Sequence, residues 1–239
     1  MPNNYFQFKE FTVQQEDCAM KVTTDACLFG AWAAMMMNSE QWAINNILDI
    51  GTGTGLLSLM LAQKATAQIH AVEIEEAAAN QAAGNFSLSP WKDRLHVHPA
   101  SIQQFSNRST LQFDFIITNP PFFDNDLKSE SPKRNLALHG SSLSLEELLK
   151  AIKINLSPNG KLAILLPYHR TDYFIDLAEE FYLQKKALVK QTEKHPYFRS
   201  MLLLSRMQVT TKETEIIIKQ NSRYSAAFTY LLEDYYLHL

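Results

Sequence analysis

The chain has few of the cysteine residues on which disulfide-bonded and zinc-stabilised folds depend. Only two of its 239 residues are cysteines, Cys18 and Cys27, without a C-x-x-C spacing or a paired histidine spacing. This pattern argues against a disulfide framework and against a zinc site, and predicts two reduced, packed thiols. No apolar run approaches the roughly 20 residues of a membrane-spanning helix, and no export signal is visible. We therefore expect a cytoplasmic protein without a membrane or metal partner.

The chain also lacks an excess of positive charge. Its 22 lysines and arginines stand against 25 aspartates and glutamates, for a formal net charge of −3. The simplest mark of a nucleic-acid-binding protein, an overall basic domain, is therefore missing, and a polyanion would have to meet a local patch. Two segments are candidates, with ordinary solvated surface as the alternative for both. Their basic residues are Lys185, Lys186, Lys190, Lys194, Arg199 and Arg206 in the first, and Lys128, Lys133 and Arg134 in the second.

Glycine is scarce, with seven in the chain, yet three of them stand in the segment Asp49-Ile-Gly-Thr-Gly-Thr-Gly55. The segment follows a short apolar strand and precedes a helical pattern, so Gly51, Gly53 and Gly55 let the backbone bend and approach a ligand closely. A dinucleotide fingerprint would need glycine where Leu56 stands, which favours a nucleoside without phosphates. Asp49 could orient an amino-acid portion of that ligand. An ordinary strand-to-helix turn is the alternative.

Two further residues fit such a nucleoside. Glu73 ends the next predicted strand, where a carboxylate can accept both hydroxyls of a ribose. Ser101 follows the third predicted strand, where its hydroxyl can bond an adenine edge, with helix capping as the alternative reading. The position of Glu73 agrees with that of the glycine segment.

The most specific motif is Asn119-Pro120-Pro121-Phe122, which follows the apolar run from 113 to 118. The prolines stiffen the turn, Asn119 Oδ1 and the Pro120 carbonyl can each accept one N–H of a planar amine, and Phe122 offers a face for a base. A conjugated amine is a poor nucleophile, and drawing both hydrogens into acceptors localises its lone pair. The motif therefore predicts transfer of a group, such as the methyl of a sulfonium, to a planar amine.

Alternating strand and helix patterns predict an α/β fold with a Rossmann-like, doubly wound, mostly parallel sheet and antiparallel strands at its edge. We expect one domain over 1–239, with an N-terminal arm and helix over 1–45 and a catalytic core over 46–239. The irregular stretch from 119 to 143 lies where such sheets bind ligands. Local patterns predict a cap at Thr24-Asp25, a capping box of Ser144 with Glu147, a turn at 157–160, a helix over about 171–182 and a closing helix near 224–237.

The chain resembles the class I S-adenosylmethionine-dependent methyltransferases, and within them the bacterial tRNA1(Val) adenine-37 N6-methyltransferase family. The resemblance covers nearly the whole chain and is carried by the segments 20–32, 48–55, 71–74, 115–123, 134–137 and 143–148. Two positions depart from the family pattern, which tends to have glycine where Thr23 stands and aspartate where Ser101 stands. The second departure could weaken the hold on the adenine of the donor.

The resemblance implies a seven-stranded sheet with the last strand reversed and S-adenosylmethionine as the cofactor. It implies that Gly51, Gly53 and Glu73, with Asp49, bind the donor, while the segment from Lys21 through Thr24 to Asp25 covers its methionine end. Asn119, Pro120 and Phe122 would hold an adenosine beside the anticodon of a tRNA. The tRNA body would rest on the patch at 185–206 and on the loop at 123–143.

Other functions remain open from the residues alone. The tetrapeptide type also occurs in release-factor glutamine N5-methyltransferases and ribosomal RNA guanine N2-methyltransferases, so it identifies the amine better than the macromolecule. A non-catalytic RNA-binding module with the same fold is the alternative from a different class. Asn119 and Glu73, both present, argue against that module.

Overall fold

The computed structural model describes residues 3–18, 21–38, 42–121 and 143–239. The chain begins with an antiparallel pair, β1 (Tyr5–Gln7) and β2 (Thr12–Gln14). Asn85 holds this arm to the body, because its side-chain oxygen accepts from the Gln14 backbone N–H at 2.8 Å and its Nδ2 donates to the Gln14 carbonyl at 2.9 Å. The start of the predicted N-terminal arm is therefore a short hairpin that packs on the core.

A nine-stranded sheet forms the centre of the described chain. Its strands are β3 (Asn46–Ile50), β4 (Gln68–Glu73), β5 (Leu95–Pro99), β6 (Phe113–Thr118), β7 (Leu156–Pro167), β8 (Tyr182–Thr192), β9 (Tyr197–Ser205), β10 (Lys212–Gln220) and β11 (Arg223–Tyr224). They lie in the order β11-β10-β8-β9-β7-β6-β3-β4-β5. The order reverses between β3 and β6, where the chain starts its second winding.

The predicted parallel, doubly wound sheet is confirmed, and its antiparallel part differs from the prediction. β9 runs antiparallel between β7 and β8, inside the sheet, while β10 runs parallel to β8. Among the strands described, only the short β11 is an antiparallel strand at the edge, paired with β10. The expected count of seven strands is too low, because β10 and β11 extend the sheet beyond β8. The antiparallel direction of β9 follows from the short connection between β8 and β9, because a hairpin places its second strand antiparallel beside its first.

Helices cover both faces of the sheet. They are α1 (Thr24–Asn38), α2 (Leu56–Ala62), α3 (Glu76–Ser87), α4 (Ile102–Arg108), α5 (Leu145–Asn155), α6 (Thr171–Leu177) and α7 (Ala226–Leu232). One apolar cluster joins α1, α2 and α7 to the sheet, and a second joins α4, α5 and α6 to its other face. None of the helices described is long and apolar enough to span a bilayer.

Several local predictions shift at element ends. The capping box of Ser144 and Glu147 is confirmed. At α1 the cap is Thr23, whose Oγ1 accepts from the Ala26 N–H at 3.4 Å, one residue earlier than predicted. The turn predicted at 157–160 lies within β7 as an irregularity, where the pairing with β6 passes from Leu156 to Lys161. The helices predicted to reach 182 and 237 end at Leu177 and Leu232.

Candidate active site

The carboxyl ends of β3, β4 and β6 meet in one row. Ile50 of β3 pairs with Val72 of β4 on one side and with Thr118 of β6 on the other, and the Thr118 hydroxyl donates to the Ile50 carbonyl at 2.9 Å. The residues that follow this row are Gly51, Glu73 and Asn119. Three motifs separated in the sequence are therefore neighbours at the edge where open α/β sheets bind ligands.

The glycine segment has the backbone shape that the sequence predicts. Gly51, Gly53 and Gly55 have φ values of 73°, 56° and 84°, in the left-handed region that favours glycine. The N–H groups of Gly51 and Thr52 donate to the Val72 carbonyl at 2.9 and 3.2 Å. A Cβ at Gly51 would meet no atom within 4 Å, so this face of the loop is open. The segment thus provides a backbone surface that a ligand can approach.

Gly55 has a packing role as well as a conformational one. A Cβ at this position would lie 2.5 Å from Cε1 of Phe86, a ring that is buried on α3. We expect Gly55→Ala to lower the free energy of unfolding by about 2 to 3 kcal/mol, from strain and overpacking together. Gly84→Ala is the matched control, because it lies in α3 with open space around its Cβ and should raise stability by about 0.5 to 1 kcal/mol. Urea unfolding measures both, and equal effects would contradict this packing role.

Asp49 stabilises the loop from behind. Its side chain is fully buried, and Oδ2 accepts from the hydroxyls of Thr52 at 2.6 Å and Ser58 at 2.7 Å. Oδ1 is also buried and has no hydrogen-bond partner among the described residues. Burial raises the pKa of Asp49 to about 6. The sequence prediction placed Asp49 against a ligand, whereas the contacts observed are with the loop and with α2.

The raised pKa of Asp49 predicts a pH dependence. Because the pKa in the folded protein exceeds the ordinary value, this group favours folding below about pH 4 and loses that contribution as the pH rises through 6. As the pH rises from 4 to 7, the free energy of unfolding of Asp49→Asn should therefore increase by roughly 2 to 3 kcal/mol relative to that of the unchanged protein. Unfolding in urea at several pH values measures this, with the exposed Asp93→Asn as control. If the free energy of unfolding depends on pH in the same way for Asp49→Asn and the unchanged protein, burial does not destabilise the charged Asp49.

Glu73 links the ends of β4 and the glycine segment. Its Oε2 accepts from the Gly53 N–H at 2.9 Å and its Oε1 accepts from the Glu75 N–H at 3.0 Å. Each carboxylate oxygen has further acceptor capacity, and the side chain is only half-buried. The carboxylate is therefore held in place and can still accept hydrogen bonds from a ligand hydroxyl.

Ser101 caps α4. Its hydroxyl accepts from the Gln104 N–H at 3.2 Å, and the Gln104 side chain accepts from the Ser101 N–H at 3.2 Å. The capping alternative left open by the sequence is thus observed. Contact of Ser101 with an adenine remains a prediction.

The amine-binding motif follows β6 directly. Asn119 is half-buried, Pro120 is buried and Pro121 is exposed, and no cis peptide bond is recorded in the described ranges. Phe122, also predicted to belong to this motif, lies outside the described residues. Asn119 stands beside the open glycine loop because β6 and β3 are adjacent strands.

The residues predicted to cover the methionine end of a donor lie at the start of α1. Lys21 and Thr24 are exposed, and Asp25 pairs with Arg199, whose Nε donates to Asp25 Oδ2 at 2.7 Å. A predicted donor residue and a predicted RNA contact therefore hold each other. The pair joins the start of α1 to the first residues of β9, at the same end of the sheet as Asn119.

The predicted basic patch at 185–206 is less cationic than its sequence indicates. Lys186 pairs with Glu213 at 3.1 Å and Lys190 with Glu215 at 2.8 Å, because β10 brings its acids alongside β8. The sequence count missed these acids, which lie outside the segment. Lys185 is half-buried and Lys194 is exposed. The second predicted patch, Lys128, Lys133 and Arg134, lies outside the described residues.

Histidines on β4 and β5 form a cluster. His70 Nδ1 lies 2.9 Å from His98 Nε2, and burial lowers the pKa of His70 to about 4. Within the ranges that the structure describes, no group of three or more His, Cys, Asp or Glu side chains could hold a metal ion.

Some residues that shape the site were missed in the sequence. Thr52 and Ser58 bind Asp49, and Asn85 Nδ2 donates to the Thr54 carbonyl at 2.8 Å, which anchors the glycine segment to α3. The hydroxyls at Thr52 and Ser58 follow Asp49 closely, so a search for partners of a buried carboxylate could have found them. Asn85 is distant in sequence and carries no such pattern.

The chain matches a family model described as "Methyltransferase small domain" over residues 32–196. It is also similar along its full length to curated proteins named "tRNA1(Val) (adenine(37)-N6)-methyltransferase". The protein from Cytophaga hutchinsonii is 40% identical over 100% of both chains. That from Dyadobacter fermentans is 42% identical over 99% of both. That from Pectobacterium carotovorum subsp. carotovorum is 38% identical over 98% of this chain and 94% of the relative.

Solved structures share the fold at low sequence identity. A predicted O-methyltransferase from Agrobacterium tumefaciens has a TM-score of 0.64 and 15% identity, and the match covers 87% of this chain and 95% of the other. Ribosomal protein L11 methylase from Lactobacillus delbrueckii subsp. bulgaricus has a TM-score of 0.56 and 15% identity, with 82% and 84% covered. At these identities the likeness establishes the fold alone.

Proposed function

Because this chain belongs to the methyltransferase small domain family, together with its full-length tRNA1(Val) (adenine(37)-N6)-methyltransferase relatives, we propose that it methylates N6 of an unpaired adenosine in tRNA. The methyl donor is S-adenosylmethionine, and adenosine 37 of a valine tRNA is the target. The reaction takes place in the cytoplasm. The observation that carries this proposal is the row that brings Gly51, Glu73 and Asn119 together at one edge of the sheet.

The residues present fit the donor. The open face at Gly51 accepts a ligand close to the backbone, and the carboxylate of Glu73 is held with acceptor capacity to spare for two ribose hydroxyls. The buried Asp49 shapes the loop through Thr52 and Ser58. Lys21, Thr24 and Asp25 are the residues expected to cover the methionine end of the donor. S-adenosylmethionine, when bound, supplies a methyl group on a positively charged sulfur.

The turn after β6 prepares the amine. Asn119 Oδ1 and the Pro120 carbonyl accept the two N–H groups of N6, which turns the nitrogen lone pair toward the donor side of the site. Pro120 and Pro121 restrict the backbone, so the two acceptors keep their places without reorganising. Phe122, which lies outside the described residues, is predicted from the sequence to supply the face on which the adenine stacks. No proton-abstracting residue is needed before the transfer.

An unpaired adenosine is the substrate that this site reaches most easily. A base must leave its stack before its amine can reach Asn119, at a cost of a few kcal/mol that is smallest in a single-stranded loop. The anticodon loop of a tRNA provides such a base. A base within a duplex would carry the full cost of unpairing.

Incubation of the purified protein with labelled donor and separate pools of tRNA, ribosomal RNA and release factor tests the proposal. We expect label in tRNA, and a rate of transfer lower by roughly a hundredfold or more with Asn119→Ala in a matched reaction. Label that enters only release factor or only ribosomal RNA would overturn the tRNA assignment. RNA binding without label in any pool would instead support a non-catalytic module.

A further inference from the structure

The sheet edge that carries Asn119 continues beyond the methylation site. β7, β9, β8 and β10 follow β6 in order, and with neighbouring strands about 4.8 Å apart they lie roughly 5, 10, 14 and 19 Å from it. β7 and β8 end at this edge, and β9 starts there, because Pro167 pairs with Arg199 and Lys190 with Tyr197. The edge spans about five nucleotides of a stacked strand, at about 3.4 Å each.

The part of this edge nearest Asn119 is aromatic. Tyr168 follows β7 and its ring lies 5.2 Å from that of Tyr197, at an interplanar angle of 46°. Tyr197 is held in place, because its hydroxyl donates to Glu215 at 2.5 Å and the Lys190 ammonium lies 4.4 Å from its ring centroid. Tyr168 is 42% exposed and forms the outer member of the pair. An exposed ring on a rigid support is a surface on which an unpaired base can stack.

The part furthest from Asn119 is basic. Lys194 follows β8 and Lys219 lies near the end of β10, and both line a cavity of about 420 Å³ beside the turn at Asn221 and Ser222. Glu193, the acid in the lining, accepts a hydrogen bond from Gln220 Nε2 at 2.9 Å. Among the described residues no ion pair is recorded for either lysine, in contrast to Lys186 and Lys190. The cavity therefore has the charge and the size for a phosphodiester group.

We propose that this edge, from Tyr168 to Lys219, binds the RNA strand next to the target adenosine. A neighbouring base stacks on Tyr168, and the phosphates further along the strand lie at Lys194 and Lys219. The inference rests on the proposed function for its choice of RNA as the occupant. It keeps Lys194 from the sequence-based patch and leaves out Lys185. The paired Lys186, Lys190 and Arg199 become supports for the edge.

The stacking contact is tested with an RNA stem-loop that holds the target adenosine in its loop. Tyr168→Ala should weaken binding of this RNA about tenfold, with kcat at saturating RNA and donor affinity both near those of the unchanged protein. Tyr182→Ala is the matched control, because Tyr182 is 43% exposed and starts β8 at the opposite edge of the sheet. Tyr168→Phe should restore binding, since it keeps the ring.

Abasic RNA separates stacking from other effects. Removal of the base beside the target adenosine should weaken binding to the unchanged protein about tenfold and leave binding to Tyr168→Ala unaffected. If Tyr168→Ala binds the intact RNA as well as the unchanged protein does, the stacking contact is wrong. A fall in kcat with unchanged RNA affinity would place Tyr168 at the target base and also overturn it.

The lysine pair is tested by charge reversal. Lys194→Glu with Lys219→Glu should weaken RNA binding at least tenfold and flatten its dependence on salt concentration by roughly one to two in the log–log slope. Lys185→Glu with Lys212→Glu is the control, because these two residues are paired neighbours on β8 and β10, on the amino-terminal side of Lys190 and Lys219. Equal losses of RNA affinity in both double variants would contradict binding of the phosphates at the carboxyl-end edge.

Binding and turnover distinguish this inference from the proposed function. The affinities are measured without donor, so they can be read even if the protein methylates a different amine. Tyr168-dependent binding of RNA without RNA methylation would support RNA binding at this edge and contradict the proposed reaction. RNA methylation with normal RNA affinity, both in Tyr168→Ala and in the double variant of Lys194 and Lys219, would support the proposed reaction and contradict RNA binding at this edge.

Discussion

Replacement of Asn119 with alanine is expected to lower the rate of methyl transfer by roughly a hundredfold or more. The loss arises because one of the two acceptors for the target amine disappears from a position that the pairing of β6 with β3 otherwise fixes. A conjugated amine then has one N–H without its acceptor, and its lone pair is poorly aligned with the methyl group. Single-turnover assays with saturating donor and RNA measure the chemical step directly.

The same variant should bind the donor almost normally, because Asn119 acts on the amine. Titration of the protein with S-adenosylhomocysteine checks this, and Asn107→Ala, an exposed asparagine on α4, is the control for both assays. A loss of rate below threefold would refute the acceptor role. A large loss of donor affinity with a normal rate at saturation would assign Asn119 to the donor instead.

Replacement of Glu73 with alanine is expected to weaken donor binding roughly a hundredfold. Two hydrogen bonds from ribose hydroxyls to a charged acceptor are lost, and the Gly53 N–H loses the partner that holds the glycine segment toward β4. Glu73→Gln keeps one acceptor oxygen and should be intermediate. Calorimetric titration with S-adenosylhomocysteine measures the dissociation constants.

Two controls separate the ribose contact from loop damage. Glu76→Ala removes an exposed carboxylate from the first turn of α3 and should leave donor affinity unchanged. RNA affinity of Glu73→Ala, measured without donor, should also stay unchanged. A dissociation constant within threefold of that of the unchanged protein would remove Glu73 from the ribose site.

The sequence predicts where Gly51, Glu73 and Asn119 lie better than it predicts the outer sheet, for a physical reason. Glu73 is the last residue of a short strand, and Gly51 and Asn119 each directly follow one. Parallel strands with βα connections place such positions at one edge whatever the rest of the chain does. The glycine conformations follow in the same way, since three positive φ values need residues without Cβ. These features depend on local pattern and on a general rule of topology.

The region after Tyr182 depends on pairing that no local pattern specifies. Lys186 and Lys190 seemed to form a basic patch, and Glu213 and Glu215 neutralise them only because β10 lies parallel to β8. The position of β9 between β7 and β8 likewise depends on which strands pair, and the sequence of β9 alone does not specify this. The ion pair of Asp25 with Arg199 joins residues far apart in the sequence, so its members were assigned to two different ligands.

The most direct test of the central claim is a nucleoside digest of tRNA from cells with and without this protein. We predict that N6-methyladenosine from a valine tRNA disappears when the protein is absent and returns when it is restored, while Asn119→Ala fails to restore it. An unchanged level of N6-methyladenosine, with loss of a methylated guanosine or of a methylated protein glutamine, would contradict the account.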